Sequence, residues 1–403
     1  MPVHRLPGGR GSSVFACAAE IDRWLAIPRD ESASRPAAAD GSLHRPFAFP
    51  FNIVIPLALV AIVAIVALVP ISRDAPASSG ATIRRLSLSD GDINGIDYRG
   101  QIRWTYHAAT SRLLPGGARW TFIGEPDATG DQLVVASVDT PDDVGALFAF
   151  DGRGHLRWRT VLRDRLRFGS GEYGPPWVGG GGDLLSFQTQ GRRRFAWTVH
   201  HITWWPSLVL VLDPQGRILD RFVNAGWIGR LLLSRDGRLL LASGVSNSAR
   251  APMVAVLDIA HPSGASPEED GSPYACVTCP AGRPARYLVF TPSPLSRTIG
   301  LQPVAPILAH PDNRVEVRVQ EGASPAVETI YEFSPGFDLL RASRSDIYWN
   351  LRGRPEGKAV LSHTIRDRRE EEQQSVRVWD ARHGWTLQHP IEPPATGAAK
   401  KAQ

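Results

Sequence analysis

An all-β architecture of many short strands is the fold class that the sequence predicts, and three observations predict it. The chain holds 38 Gly and 33 Pro among 403 residues, well above the ordinary combined share of about 12%. Long helices do not tolerate that many breakers, whereas strands joined by tight turns use them. A motif of Asp, two residues, Gly, one residue, then Ile or Leu recurs along the chain. Twelve Trp stand beside only three Cys, so aromatic packing rather than a disulfide framework must hold the strands together. Repeats of about 40–50 residues, each one four-stranded sheet, are the sequence signature of a β-propeller. The expectation is a six- or seven-bladed β-propeller, preceded by one transmembrane helix and a short cytoplasmic hairpin–helix fragment. Hydrophobic residues at 43% and charged residues at 21% exclude bulk disorder, and a net charge of +5 is too thin over this length to imply nucleic acid by itself.

Residues 1–46 form the expected cytoplasmic segment. Val3-His4-Arg5-Leu6 and Val14-Phe15-Ala16 flank the turn Pro7-Gly8-Gly9-Arg10-Gly11, which reads as a β-hairpin. Ala18 to Leu25 follows with Ile21, Trp24 and Leu25 at helical spacing. This string resembles the wing and last helix of a winged helix-turn-helix of the MerR/excisionase type. In that family a recognition helix lies immediately upstream of the wing. The resemblance therefore implies either a start further upstream or a truncated regulator. From the wing, His4, Arg5 and Arg10 would touch phosphates. Base reading would need the upstream helix, so nucleic acid is a partner only if that helix exists.

No charged residue occurs from Phe47 to Ile71, and Arg45 and Arg73 bound the run. As a helix it would reach roughly 37 Å, enough to cross a hydrocarbon core of about 30 Å. A cleaved signal peptide would begin within the first few residues and carry a shorter apolar region. Residues 47–71 are thus expected to span the cell inner membrane once. Arg residues crowd the short N-terminal segment, which favours the N-terminus in the cytoplasm and the C-terminal domain outside it. A Pro/Ala/Ser-rich linker covers 72–82, the propeller 83–395, and an unstructured tail 396–403.

In the large domain the motif appears as Asp97…Gly100…Ile102 followed by Trp104, and as Asp151…Gly154…Leu156 followed at the same offset by Trp158. Asp213…Gly216…Ile218 keeps the spacing but carries Asp220 where the Trp would fall, and Ser234…Gly237…Leu239 replaces the Asp. Looser copies end at Asp258, at Ser334-Pro335-Gly336 and at Asp380 with Gly384 and Trp385. Asp closes an Asx-turn on its own backbone, and Gly supplies the positive φ that the turn needs. The Trp is then expected to pack between neighbouring sheets. Phe148-Ala149-Phe150-Asp151-Gly152-Arg153-Gly154-His155-Leu156-Arg157-Trp158 resembles a blade of the quinoprotein-like (PQQ-like) β-propeller repeat, with Gly95–Trp104 and Val209–Ile218 as further matches. The resemblance implies a propeller that is usually extracytoplasmic. It does not extend to quinoprotein enzymology, because adjacent cysteines and a calcium-binding acidic set are missing from the sequence pattern. No catalytic residue, cofactor or metal ligand is assigned.

Cys276-Val277-Thr278-Cys279 lies in a Gly/Pro/Ser-rich excursion from His261 to Pro284. Pro280 occupies the position where a c-type haem needs His. The favoured reading is a local disulfide, with a zinc site, completed by distant histidines, as the alternative. His200-His201 precedes Trp204-Trp205 without an acidic partner at metal spacing. The aromatic residues Trp197, Trp204, Trp205 and Trp227 read as blade packing rather than a sugar platform. Arg192-Arg193-Arg194 reads as a hairpin tip, and Gly179–Gly182 lacks the Lys of a phosphate loop.

The functional expectation is a membrane-anchored, sensor- or regulator-like protein whose extracytoplasmic propeller binds a ligand or protein partner. The alternatives are an envelope binding or assembly scaffold with a vestigial N-terminal segment and, third, an extracytoplasmic enzyme.

Overall fold

In a computed structural model of the chain, residues 82–391 are described apart from 90, 109–120, 140–143, 180–181, 204, 294–295, 297–303, 313, 321–326 and 354–373, together with 4–5 and 14–15. The chain divides into two compact units, Met1–Ala75 and Pro76–Gln403. In the first, His4–Arg5 pairs antiparallel with Val14–Phe15. Arg10, the helix over 18–25 and the expected spanning segment Phe47–Ile71 lie outside the described residues. Among the described residues no helix is long and apolar enough to cross a membrane.

The second unit is nearly all β. Among its described residues, five sheets of three to six strands are built mainly of antiparallel pairs, besides a two-stranded ribbon of Leu166–Phe168 and Gly171–Tyr173. The first holds Ile83–Ser89, Asp92–Asp97 and Ile102–His107. The second holds Thr121–Ile123, Val134–Val138, Ala146–Phe150 and Leu156–Val161. Arg192–His201, Ser207–Leu212 and Ile218–Asn224 form the body of the third, flanked by Leu184–Thr189 and Trp177–Val178. The fourth runs Ile228–Leu233, Leu239–Ser246, Ala251–Asp258, Arg286–Phe290, Val376–Asp380 and Gly384–Gln388. The fifth holds Ile307–Ala309, Val315–Gln320, Glu328–Phe333 and Leu339–Arg344.

Alternation along single strands stacks these sheets face to face. In the wholly buried strand Ala146–Phe150, Ala146, Phe148 and Phe150 point into a core shared with Ile93 and Trp104 of the first sheet. Leu147 and Ala149 point the other way, into a core shared with Trp197 and Leu210 of the third. Ser207–Leu212 is divided likewise. Leu208, Leu210 and Leu212 face the second sheet, while Val209 and Val211 face Leu240, Ala255 and Tyr287 of the fourth. Leu288 and Phe290 on the opposite face of the fourth sheet meet Val317 and Phe333 of the fifth. A central strand sandwiched in this way reads as a continuous apolar run, and each fully buried Leu, Val or Phe contributes roughly 1.5–3 kcal/mol. This stack of successive sheets is propeller-like.

The repeat turns set the spacing of the stack. Asp97 Oδ1 accepts the N–H groups of Arg99 (2.8 Å) and Gln101 (3.0 Å). Asp151 does the same for Arg153 and His155, and Asp213 for Gln215 and Arg217. The N–H of the motif glycine donates to the Asp carbonyl in each case. Asp127…Gly130 makes the same turn but was hidden from the pattern by Gln132, which stands where the other copies carry Ile or Leu. Gln132 is buried, and its amide bonds both the N–H and the carbonyl of Ile83 and the carbonyl of Gly124, tying the second sheet to the first.

Trp104 lies against Gly154, the turn glycine of the next sheet, and Trp158 lies against Gly216 of the sheet after that. The series then stops. Asp220 replaces the Trp and accepts a hydrogen bond from Ser263 Oγ at 2.7 Å, and space around Gly237 is open. The outer edge of the third sheet is filled by the excursion after His261, whose Gly264–Ala265 pairs in parallel with Phe222 and Val223. The copy at Asp380 also departs from expectation. It builds no sheet of its own: Val376–Asp380 pairs with Arg286–Phe290, and Gly384–Gln388 completes the fourth sheet. Counting copies at a fixed period therefore gives six or seven blades, where the described residues form five sheets of three or more strands.

Candidate functional site

The excursion from His261 to Pro284 carries the chemistry that the repeats lack. Its tip folds back on the hairpin made by Leu166–Phe168 and Gly171–Tyr173. Val277 N donates to the Arg167 carbonyl at 2.7 Å, and Arg167 N to Thr278 Oγ1 at 2.9 Å. Cys276 and Cys279 are disulfide-bonded, with Cα atoms 5.6 Å apart. Beside them Trp205 sits edge-on to Tyr173 and Tyr274 and tilted against Phe168.

The base of the excursion closes a cavity of about 200 Å³ against the fourth sheet. Registry puts Tyr287, Val289, Arg377 and Trp385 on one face of that sheet, because Val289 pairs with Arg377, Tyr287 with Trp379, and Trp379 with Trp385. The excursion supplies Glu268 and Glu269, and the turn after Leu239–Ser246 supplies Ser248. Beneath them runs a buried polar chain. Tyr287 Oη donates to Asn224 Oδ1 at 2.7 Å. Asn224 Nδ2 donates to the Val245 carbonyl at 3.1 Å. Ala225 N donates to Ser266 Oγ at 3.1 Å. Each half-satisfied member of such a chain would cost about 1–3 kcal/mol, so the three bonds favour this arrangement of the floor.

Burial pushes the Glu268 carboxyl above its ordinary value, opposed by the hydroxyls of Ser248 and Ser266 and by the charge of Arg283. Burial also raises the Tyr287 phenol well above 10.0, and the Glu268 charge adds to it. Tyr287 thus remains a hydrogen-bond donor. At the other side of the cavity the Arg377 guanidinium lies over the Trp385 ring, 4.7 Å from its centroid. Tyr287 meets the same ring edge-on at 6.1 Å.

The residues singled out by sequence fall into different places. Asp97, Asp151 and Asp213 are turn formers, with Gly100, Gly154 and Gly216 at positive φ. Trp197 is fully buried, its Nε1 donating to Ser137 Oγ at 3.0 Å; Trp204 lies outside the described residues. His200 is buried with Nδ1 2.7 Å from the His201 carbonyl. Burial and then its neighbour His200 hold the His201 imidazole below 6.5. Arg192, Arg193 and Arg194 begin a strand, beyond a turn at Gln190 and Gly191. Among the described residues no group of three or more His, Cys, Asp or Glu stands close enough to hold a metal ion. Glu268 and Arg377 had no motif to announce them. Only Trp385, in the last loose repeat, marked one wall of the cavity.

No protein-family model and no curated protein matches the sequence. Among solved structures, the chain is similar to Kuenenia stuttgartiensis hydrazine synthase at 11% identity and TM-score 0.38, covering 67% of this chain and 68% of that one. It is similar to the Dos1 propeller at 10% identity and TM-score 0.37, covering 77% and 69%. Penicillium chrysogenum α-L-arabinanase follows at 9% identity and TM-score 0.32, covering 68% and 78%. Likeness at this level assigns no activity, ligand or site to the chain.

Proposed function

We propose that this chain is a membrane-anchored, sensor- or regulator-like binding protein. Its propeller-like domain of PQQ-like repeats lies outside the cytoplasm and takes up a ligand or protein partner; its N-terminal segment lies inside. The observation that carries this reading is the excursion 261–284. Its Cys276–Cys279 disulfide suits an oxidising compartment, and the same loop lends Glu268 and Glu269 to a cavity. Mixed charge, hydroxyls and an aromatic wall in one concave site are what a small-molecule site needs. The uncharged run Phe47–Ile71 supplies the anchor in this reading. The paired strands His4–Arg5 and Val14–Phe15 support the wing-like hairpin, from which His4, Arg5 and Arg10 contact nucleic acid if a recognition helix precedes them. Fusion of a reporter that works only outside the cytoplasm tests the arrangement. It is active after residue 395 and inactive before residue 46; the reverse pattern overturns it.

A further inference from the structure

The cavity at the base of the excursion is lined by three charged side chains that form no ion pair among the described residues, although Glu268 keeps the hydroxyls of Ser248 and Ser266 and the more distant charge of Arg283. Glu268 and Glu269 stand on one wall, and among the described residues neither forms an ion pair within the protein. Among the described residues Arg377, on the sheet face, also forms no ion pair with a carboxylate; it lies over the ring of Trp385. Stacking on an indole holds a guanidinium plane while leaving its N–H edge free for a carboxylate. The two hydroxyls on Glu268 fix that carboxylate in turn. At about 200 Å³ the space is smaller than the roughly 300–1,000 Å³ of drug-sized sites, so the occupant is small.

We propose that this cavity binds a basic amino acid, a ligand with two ammonium groups and one carboxylate. Two acidic groups and one basic group in the wall are matched by that charge set, carboxylate on Arg377 and ammonium groups on Glu268 and Glu269. A neutral sugar would offer no counter-charge to Glu268, Glu269 or Arg377, and it would find the Trp385 ring already covered by Arg377 and edged by Tyr287. An ammonium group beside Glu268 would also relieve the burial that disfavours its ionised form. The inference rests on the reading of the domain as a binding module. Its test uses purified protein, so it fails separately from the membrane arrangement.

Isothermal titration calorimetry of the full chain in detergent, with L-lysine, cadaverine and 6-aminohexanoate as probes, measures the match. L-lysine binds at least tenfold more tightly than cadaverine, which lacks the carboxylate, and than 6-aminohexanoate, which lacks the α-ammonium. Arg377→Gln reduces L-lysine to the level of cadaverine and leaves cadaverine unchanged. Glu268→Gln, which keeps the hydroxyl contacts, weakens all three, with an unchanged melting temperature as the control for folding. Absence of L-lysine binding, equal affinity for L-lysine and cadaverine, or binding indifferent to both substitutions overturns the proposal.

Discussion

Trp158 lies against Gly216, the turn glycine of the following sheet. A methyl group added at Gly216 would stand 2.5 Å from the indole, and the Trp158 Nε1 donates to the Pro214 carbonyl two residues earlier at 2.8 Å. Thr160 Oγ1 adds a bond to the Gly216 carbonyl at 2.7 Å. The Asp-x-x-Gly turn and the Trp of the preceding copy therefore form one device. Asp213 shapes the loop, glycine leaves its face bare, and the indole of the previous sheet fills the space. Trp104 and Gly154 repeat the contact one sheet earlier, although among the described residues Trp104 Nε1 finds no partner there.

Truncating the indole should cost accordingly. Trp158→Ala is expected to lower stability by about 3 kcal/mol, the low end of the range for large aromatics removed from cores, because Trp158 is partly buried. Gly216→Ala should also destabilise, because φ is +78° there and the new methyl meets the ring. Once the ring is gone, part of the second penalty disappears. The double variant should thus lose less than the sum of the two singles, a coupling that residues in contact show. Thermal and urea melts of the four proteins measure it. Strict additivity would mean that the two residues do not touch.

The turn carboxylates predict an acid limb of stability. Burial alone would raise the Asp213 carboxyl, but the Arg217 N–H, the Arg217 side chain and the Gln215 N–H together hold it below 3.8. Asp97 and Asp151 are lowered in the same fashion. A carboxyl depressed in the folded state stabilises above its unfolded pKa, and that contribution is lost as pH falls through the folded value. Asp213→Asn keeps an acceptor oxygen for the turn and removes the charge. Urea midpoints from pH 7 down to pH 3 should therefore fall less steeply in the variant than in the parent. Parallel slopes would contradict the assignment.

The disulfide closes a loop so short that its chain-entropy contribution belongs near the bottom of the ~0–5 kcal/mol range. The Cys276→Ser, Cys279→Ser double variant is expected to keep the overall melt and to gain protease cleavage only within 261–284. Loss of cooperative unfolding would show that the bridge supports the stack itself.

Local chemistry made much of the fold legible. The Asp-x-x-Gly spacing and the trailing Trp announce hairpins at Asp97, Asp151 and Asp213, and those hairpins are found where the spacing puts them. What could not be read depends on pairings remote in sequence. Nothing local tells Val376–Asp380 to join Arg286–Phe290 rather than found a new sheet. Gln132 breaks the apolar pattern because its amide answers Ile83 across the sheet boundary. The cavity was invisible for a related reason. Glu268 sits in an irregular excursion, Arg377 in an ordinary strand, and only the fold brings them to one wall and the next. Loops of this kind carry function without carrying a portable pattern.

The three cysteines of the chain offer the most direct measurement of the membrane arrangement, because Cys17 precedes the uncharged run and Cys276 and Cys279 follow it. Intact cells are treated with a membrane-impermeant maleimide before and after an impermeant reductant, and again after lysis. Cys276 and Cys279 should react only once reductant is present, and Cys17 only once the cells are opened. Labelling of Cys17 in intact cells, or of Cys276 and Cys279 only after lysis, would contradict a domain that lies outside the cytoplasm.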